Sequence, residues 1–151
     1  MSPYTMNEFA DQMGQVFPVL IKEFARRQSN ELYKGKITLT QYLVLDFLGK
    51  NADSKMTDMA RFMDVTTAAM TGIVERLVRD RYALRTSDSK DRRLIKIKLT
   101  SRGQEVVRKV NQQRRQMIMD IFGRISQEER EGYLSILEHI RDILVLEKSG
   151  A

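Results

Sequence analysis

Asp91, Arg92 and Arg93 stand at the end of a polar stretch, residues 87–92, between two short runs that read as β-strands. Adjacent arginines at a hairpin tip suit a narrow groove of concentrated negative potential, such as the minor groove of duplex DNA. An acid beside phosphates is out of place unless it serves the arginines, and at this spacing Asp91 is expected to pair with Arg93 and aim it. A solvated surface loop is the plainer alternative. A second group lies upstream. A helix over 67–80 with Met70, Ile73, Val74 and Leu77 inward turns Ala68, Gly72, Glu75 and Arg79 outward, flanked by Thr71 and Arg76. With Thr66 and Thr67 at its start, that face offers hydroxyls, small side chains and guanidinium groups, the types that meet phosphates and base edges in a major groove.

Charge points the same way. The formal net charge is +6, and all of it falls in residues 54–103, where twelve basic side chains face six acidic ones; the flanks are balanced, six against six before and eight against eight after. A polyanion is the simplest partner for such a concentration, against the plainer reading of a solvated face. Catalysis finds little footing. There is no cysteine and only one histidine, His139, which removes thiol nucleophiles, disulfides and cysteine-held zinc and leaves no histidine–nucleophile pair. No glycine-rich phosphate loop is present, and Glu128-Glu129 reads as charge favourable to a helix N-terminus. No cofactor and no metal are expected. Hydrophobic residues at 42% and charged ones at 30% describe a soluble globular chain, and no apolar run approaches the roughly 18–20 residues that span a bilayer. Residues 1–7 lack the pattern of a secretory signal, so the expected location is cytoplasmic, with no membrane partner.

The elements that must hold these groups are mostly helices. Phe9, Met13, Phe17, Leu20 and Phe24 recur at spacings of three and four and predict a helix from 5 to about 32, bent or locally broken at Pro18. Thr38 and Gln41 have capping-box spacing at the start of a second helix that carries Tyr42, Leu45 and Leu48 to about Lys50. Residues 51–54 read as a polar turn. A short helix over 55–63 with Met56, Met59, Ala60 and Met63 inward, the turn Asp64-Val65-Thr66, and the helix over 67–80 have helix-turn-helix proportions. Asp64 stands where glycine is common, and aspartate tolerates left-handed backbone better than most residues. Tyr82 to Thr86 and Leu94 to Leu99 then form a β-hairpin with a basic tip. A long helix over 102–123, capped by Thr100 or Ser101, and a last helix over 127–147, with Ser126 and Glu129 again in capping-box spacing, complete the chain. Tyr133, Leu134, Ile136, Leu137, Ile140, Ile143 and Leu144 cover more than one face of that last helix, which calls for burial between two chains.

With these elements in place, the chain resembles the multiple antibiotic resistance regulator (MarR) family along nearly its whole length. Asp91-Arg92-Arg93, the apolar run to Leu99, and Thr100-Ser101-Arg102-Gly103 look like the family's wing signature. Residues 71–77, Thr-Gly-Ile-Val-Glu-Arg-Leu, are similar to its recognition-helix segment, and residues 38–45 to its second-helix start. The resemblance implies a mostly α fold with a small β-hairpin wing, a winged helix-turn-helix flanked by N- and C-terminal dimerisation helices. The expected divisions are 1–36 and 101–151 for the dimerisation helices and 37–100 for the DNA-binding lobe. It further implies a homodimer on a double-stranded, pseudo-palindromic operator, acting as a repressor that a small molecule releases. The alternative is a winged-helix module that binds protein and not DNA. One departure is plain: Arg81 stands where the family has a glycine after the recognition helix, at a cost of about 1 kcal/mol if its backbone is left-handed. Without cysteines, and with one histidine, thiol and zinc sensing fall away, leaving a small aromatic or lipophilic effector. Phe17, Tyr42, Phe47 and Met117 are the residues expected to line its cleft, with plain core packing as the alternative for each.

Overall fold

The structure, a computed structural model, describes residues 4–27, 32 and 36–150. The helices are α1 (Met6–Arg26), α2 (Leu39–Lys50), α3 (Met56–Met63), α4 (Thr67–Arg79), α5 (Ser101–Phe122) and α6 (Gln127–Ser149). Three short strands, β1 (Ser54–Lys55), β2 (Ala83–Ser87) and β3 (Ile95–Leu99), form one antiparallel sheet in the order β1-β3-β2. The chain divides into two compact units, Met1–Arg114 and Arg115–Ala151.

Both predicted capping boxes are present. Thr38 Oγ accepts from the Gln41 N–H at 3.1 Å while the Gln41 side chain accepts from the Thr38 N–H at 2.9 Å. Ser126 and Glu129 repeat the exchange at 3.1 and 2.8 Å. Each pair satisfies amides that no helical carbonyl reaches. α1 passes through Pro18 without interruption. Its surface is exposed, so water can serve the carbonyl that proline cannot. α1 ends at Arg26 with Arg27 as its cap, short of the end near residue 32 that the apolar spacing predicts; residues 28–31 lie outside the described residues.

The core sits in the first unit. Ile37 with Tyr42, Val44, Leu45 and Leu48 of α2, Met59 and Ala60 of α3, Met70, Val74 and Leu77 of α4, Ile97 of β3 and Val106 and Val110 of α5 make one buried cluster. Each large side chain here gains about 1.5–3 kcal/mol from leaving water. Within the second unit, Phe122 stacks on Tyr133 at 5.5 Å, and Arg130 donates to the carbonyls of Phe122 and Ile125, closing the turn between α5 and α6. Neither α1 nor α6 contains a buried residue.

Three features govern how the central elements meet. First, β1 pairs with β3, Ser54 opposite Ile97 and Lys55 opposite Lys96, so the expected hairpin is a three-stranded sheet. Two residues are too few to show an alternating pattern, which is why the segment reads as a turn. Second, Asp64 takes left-handed backbone at φ 55°, and the Val65 N–H donates to the Ala60 carbonyl, turning the chain from α3 into α4. Third, Arg81 is also left-handed, at φ 65°. The Tyr82 N–H reaches back to the Leu77 carbonyl and the Arg81 N–H to that of Val78, the bond pattern with which helices commonly end on glycine. The family's glycine therefore has a conformational reason, and Arg81 meets the same demand under strain. Arg81→Gly should raise the stability of the chain by up to about 1 kcal/mol. A melting temperature unchanged or lowered in calorimetry would show that the arginine side chain repays the strain by contacts of its own.

Candidate nucleic-acid interface

α4 has two unlike sides. Met70, Val74 and Leu77 are fully buried, while Thr67, Ala68, Glu75, Arg76 and Arg79 are exposed and Thr71 and Gly72 are half-buried. The helix begins at Thr66, whose hydroxyl accepts from the Ala69 N–H at 3.1 Å. Thr66 is thus a cap first, worth about 1 kcal/mol to the helix. The Thr71 hydroxyl donates back to the Thr67 carbonyl at 2.9 Å. Arg76 Nε donates to the Gly72 carbonyl at 3.3 Å, which lays the side chain along the helix surface. Arg79 is paired with its neighbour Asp80 at 3.1 Å. Glu75, on the same side, lies 3.8 Å from Arg85 of β2, a weak bridge between helix and sheet.

The hairpin tip is ordered by two aspartates. Asp91 Oδ1 accepts from both the backbone N–H of Arg93, at 3.0 Å, and its Nε, at 3.3 Å. The sequence expectation of an Asp91–Arg93 pair is met, and the Arg93 side chain is nonetheless 92% exposed. Arg92 beside it is exposed as well. The other aspartate, Asp88, has no place in the sequence reading. Its carboxylate takes the Lys96 ammonium at 2.9 Å and the Lys90 N–H at 2.7 Å, and its N–H donates to the Leu94 carbonyl. Lys96 first, and then the Lys90 amide, hold the Asp88 carboxyl down at about 2. A legible signal existed, since an aspartate followed two residues later by a free amide is a common turn former. Asp88 closes the tip; Asp91 orients what projects from it.

Of the four residues expected to line an effector cleft, Phe17, Tyr42 and Phe47 belong to the first unit and Met117 to the second. Tyr42 is buried in the lobe's core, its hydroxyl donating to Asn111 and accepting from Arg114 at 3.1 Å. Phe47 stacks on Phe62 at 4.6 Å. Phe17 is half-exposed on α1, and Met117 is partly buried on α5. For Tyr42 and Phe47, packing accounts for what the structure contains.

No described helix is long and apolar enough to cross a membrane, and no group of three or more metal-ligating side chains is gathered among the described residues. A helix-turn-helix followed by a basic, internally braced hairpin is an arrangement for meeting duplex nucleic acid. The MarR family model matches residues 36–94, the span that holds all of these features except the second wing strand. Among curated proteins, SarZ of Staphylococcus epidermidis, an HTH-type transcriptional regulator, is 24% identical over 137 residues, 90% of this chain and 91% of its own. YpoP of Bacillus subtilis, described as an uncharacterized HTH-type transcriptional regulator, is 24% identical over 97 residues, 64% of this chain and 69% of its own. Among solved structures, Streptococcus pneumoniae FabT in complex with DNA superposes with a TM-score of 0.75 at 22% identity, covering 93% of this chain and 97% of that one. Family match, relatives and fold point the same way: residues 36–94 match the MarR family model, and the chain is similar in sequence to HTH-type transcriptional regulators and in fold to a solved winged-helix protein.

Proposed function

We propose that the protein is a two-fold homodimer that represses transcription by occupying a pseudo-palindromic duplex. In this reading α4 enters the major groove through Thr67, Ala68, Thr71, Gly72 and Arg76, with Thr66 and Arg79 at its ends, and the wing tip reaches the adjacent minor groove through Arg92 and Arg93. The observation that carries it is Arg93, an arginine almost wholly in water yet held twice by Asp91. A cation kept in one place without being neutralised by burial is suited to a partner that supplies the countercharge. The similar FabT structure, itself a complex with DNA, supports the same partner. Release by a small aromatic or lipophilic effector completes the proposal, since the sequence offers no thiol for an oxidant.

Dimerisation is supported by what the single chain leaves uncovered. Phe9, Met13, Val16, Phe17, Leu20 and Ile21 are exposed on α1, and Leu134, Ile136, Leu137, Ile140, Ile143 and Leu144 on α6. Soluble monomers seldom expose contiguous apolar patches beyond a few hundred Å². A two-fold partner would cover such faces and present two copies of α4 to one side of the duplex, about one helical turn apart. Light scattering at micromolar concentration should give twice the chain mass of 17.6 kDa. A monomer mass would defeat the dimer and, with it, the palindrome.

The wing is tested by a pair of substitutions. Arg93→Ala removes a charge-assisted contact and should cost on the order of 1–3 kcal/mol of binding per wing. Folding should be nearly untouched, within about 0.5 kcal/mol. Asp91→Ala should also weaken binding, although it deletes a negative charge next to DNA. Simple electrostatics gives the opposite sign. Both variants are titrated against a duplex that the parent selects, at one salt concentration. Tighter binding by Asp91→Ala would remove its orienting role. Normal binding by Arg93→Ala would mean that the wing does not read DNA, and would favour the protein-binding alternative.

A further inference from the structure

Gly72 is the sixth of the thirteen residues of α4, near the middle of its outward side. Apart from proline, glycine is the residue least favourable to a helix interior. Such a glycine usually answers a need inside the fold: a positive φ, or a neighbour too close for a side chain. Neither applies here. Its φ is not in the left-handed region, and a Cβ built on it meets no atom within 4 Å. The contrast with Gly103 is sharp, since a Cβ there would lie 2.1 Å from the Tyr82 carbonyl oxygen. Nothing within the described lobe asks for glycine at position 72.

The surroundings indicate what does. One turn earlier on the same side stands Ala68, exposed and short; one turn later Arg76 lies back along the helix, its Nε on the Gly72 carbonyl at 3.3 Å. The helix backbone is therefore bare at its outward midpoint, with a guanidinium beside it. Gly14 and Gly132 are also helical glycines with open surroundings, and they sit on α1 and α6, the two helices whose apolar faces lack cover. Open helical glycines in this chain fall on surfaces that another body is to meet.

We propose that Gly72 is a specificity-determining residue: its missing side chain lets a base edge in the major groove seat directly against the backbone of α4, next to the Arg76 guanidinium. This rests on the DNA-binding reading above and adds to it which part of the DNA comes closest. A base edge differs from a phosphate in consequence. Crowding a base contact costs affinity only for the preferred sequence, whereas crowding a phosphate contact weakens all duplexes alike.

Gly72→Ala separates these outcomes, because the substitution favours the free fold while obstructing the complex. The probes are a duplex that the parent protein selects from a random library and a scrambled duplex of the same composition, at one fixed salt concentration. The variant should melt about 2–4 °C higher than the parent. Its affinity for the selected duplex should fall about tenfold or more, with affinity for the scrambled duplex within about twofold of the parent's. Parental affinity for the selected duplex, or an equal loss on both duplexes, would overturn the proposal and leave the regulator reading intact. A parent that selects no sequence at all would overturn both readings together.

Discussion

The main chain at Tyr82 joins three elements that must agree in direction. Its N–H ends α4 on the Leu77 carbonyl, and its carbonyl accepts the Thr100 N–H at 3.2 Å. The Thr100 hydroxyl donates to the Arg81 carbonyl at 2.6 Å and accepts from the Gly103 N–H at 3.0 Å, so one side chain closes the sheet and caps α5. Gly103 comes so near the Tyr82 carbonyl that no side chain fits between them. Arg102 then lies over the Tyr82 ring at 4.8 Å. The end of α4, both wing strands and the start of α5 therefore leave from one hydrogen-bonded point, and the angle between helix and wing is set there.

That constraint explains the distribution of order and charge in the lobe. The apolar cluster beneath α4 fixes where the helix lies, and the junction at Tyr82 fixes where the sheet points. The side chains that project are then free to carry charge without supporting the fold. Arg76, Arg79, Arg92 and Arg93 are all exposed, and the local partners of Arg76, Arg79 and Arg93 are a carbonyl or a neighbouring aspartate, not the core. Surface pairs of this kind add little to stability. Their effect is to limit where each cation can be. The strain at Arg81 belongs to the same junction, since left-handed backbone is what allows Tyr82 to turn back onto Leu77.

Much of this was legible because each feature is written in a short window. The caps at Thr38 and Ser126, the left-handed turns at Asp64 and Arg81 and the Asp91–Arg93 pair depend on residues no more than five apart. What escaped depends on pairing at a distance or on segments too short to have a period. β1 is two residues long and is a strand only because Ile97 and Lys96 lie alongside. The turn-forming place of Asp88 can be read locally, but its ion pair cannot until Lys96, eight residues on, folds over it. Tyr42 reads from the sequence either as core or as cleft, and the partners of its hydroxyl, Asn111 and Arg114, lie too far along the chain to be foreseen.

If the junction at Tyr82 sets the reading geometry, disturbing it should affect DNA binding from a position whose polar group is turned inward. Thr100→Val keeps the shape of the side chain and removes the hydroxyl that joins Arg81 to Gly103. Its affinity for a duplex selected by the parent should be measured at a temperature where the variant is fully folded. The expected result is a stability loss of about 1–2 kcal/mol together with clearly weaker binding of that duplex. A variant that melts early but binds the duplex as the parent does would contradict it, because helix and wing would then find their places on DNA without the junction.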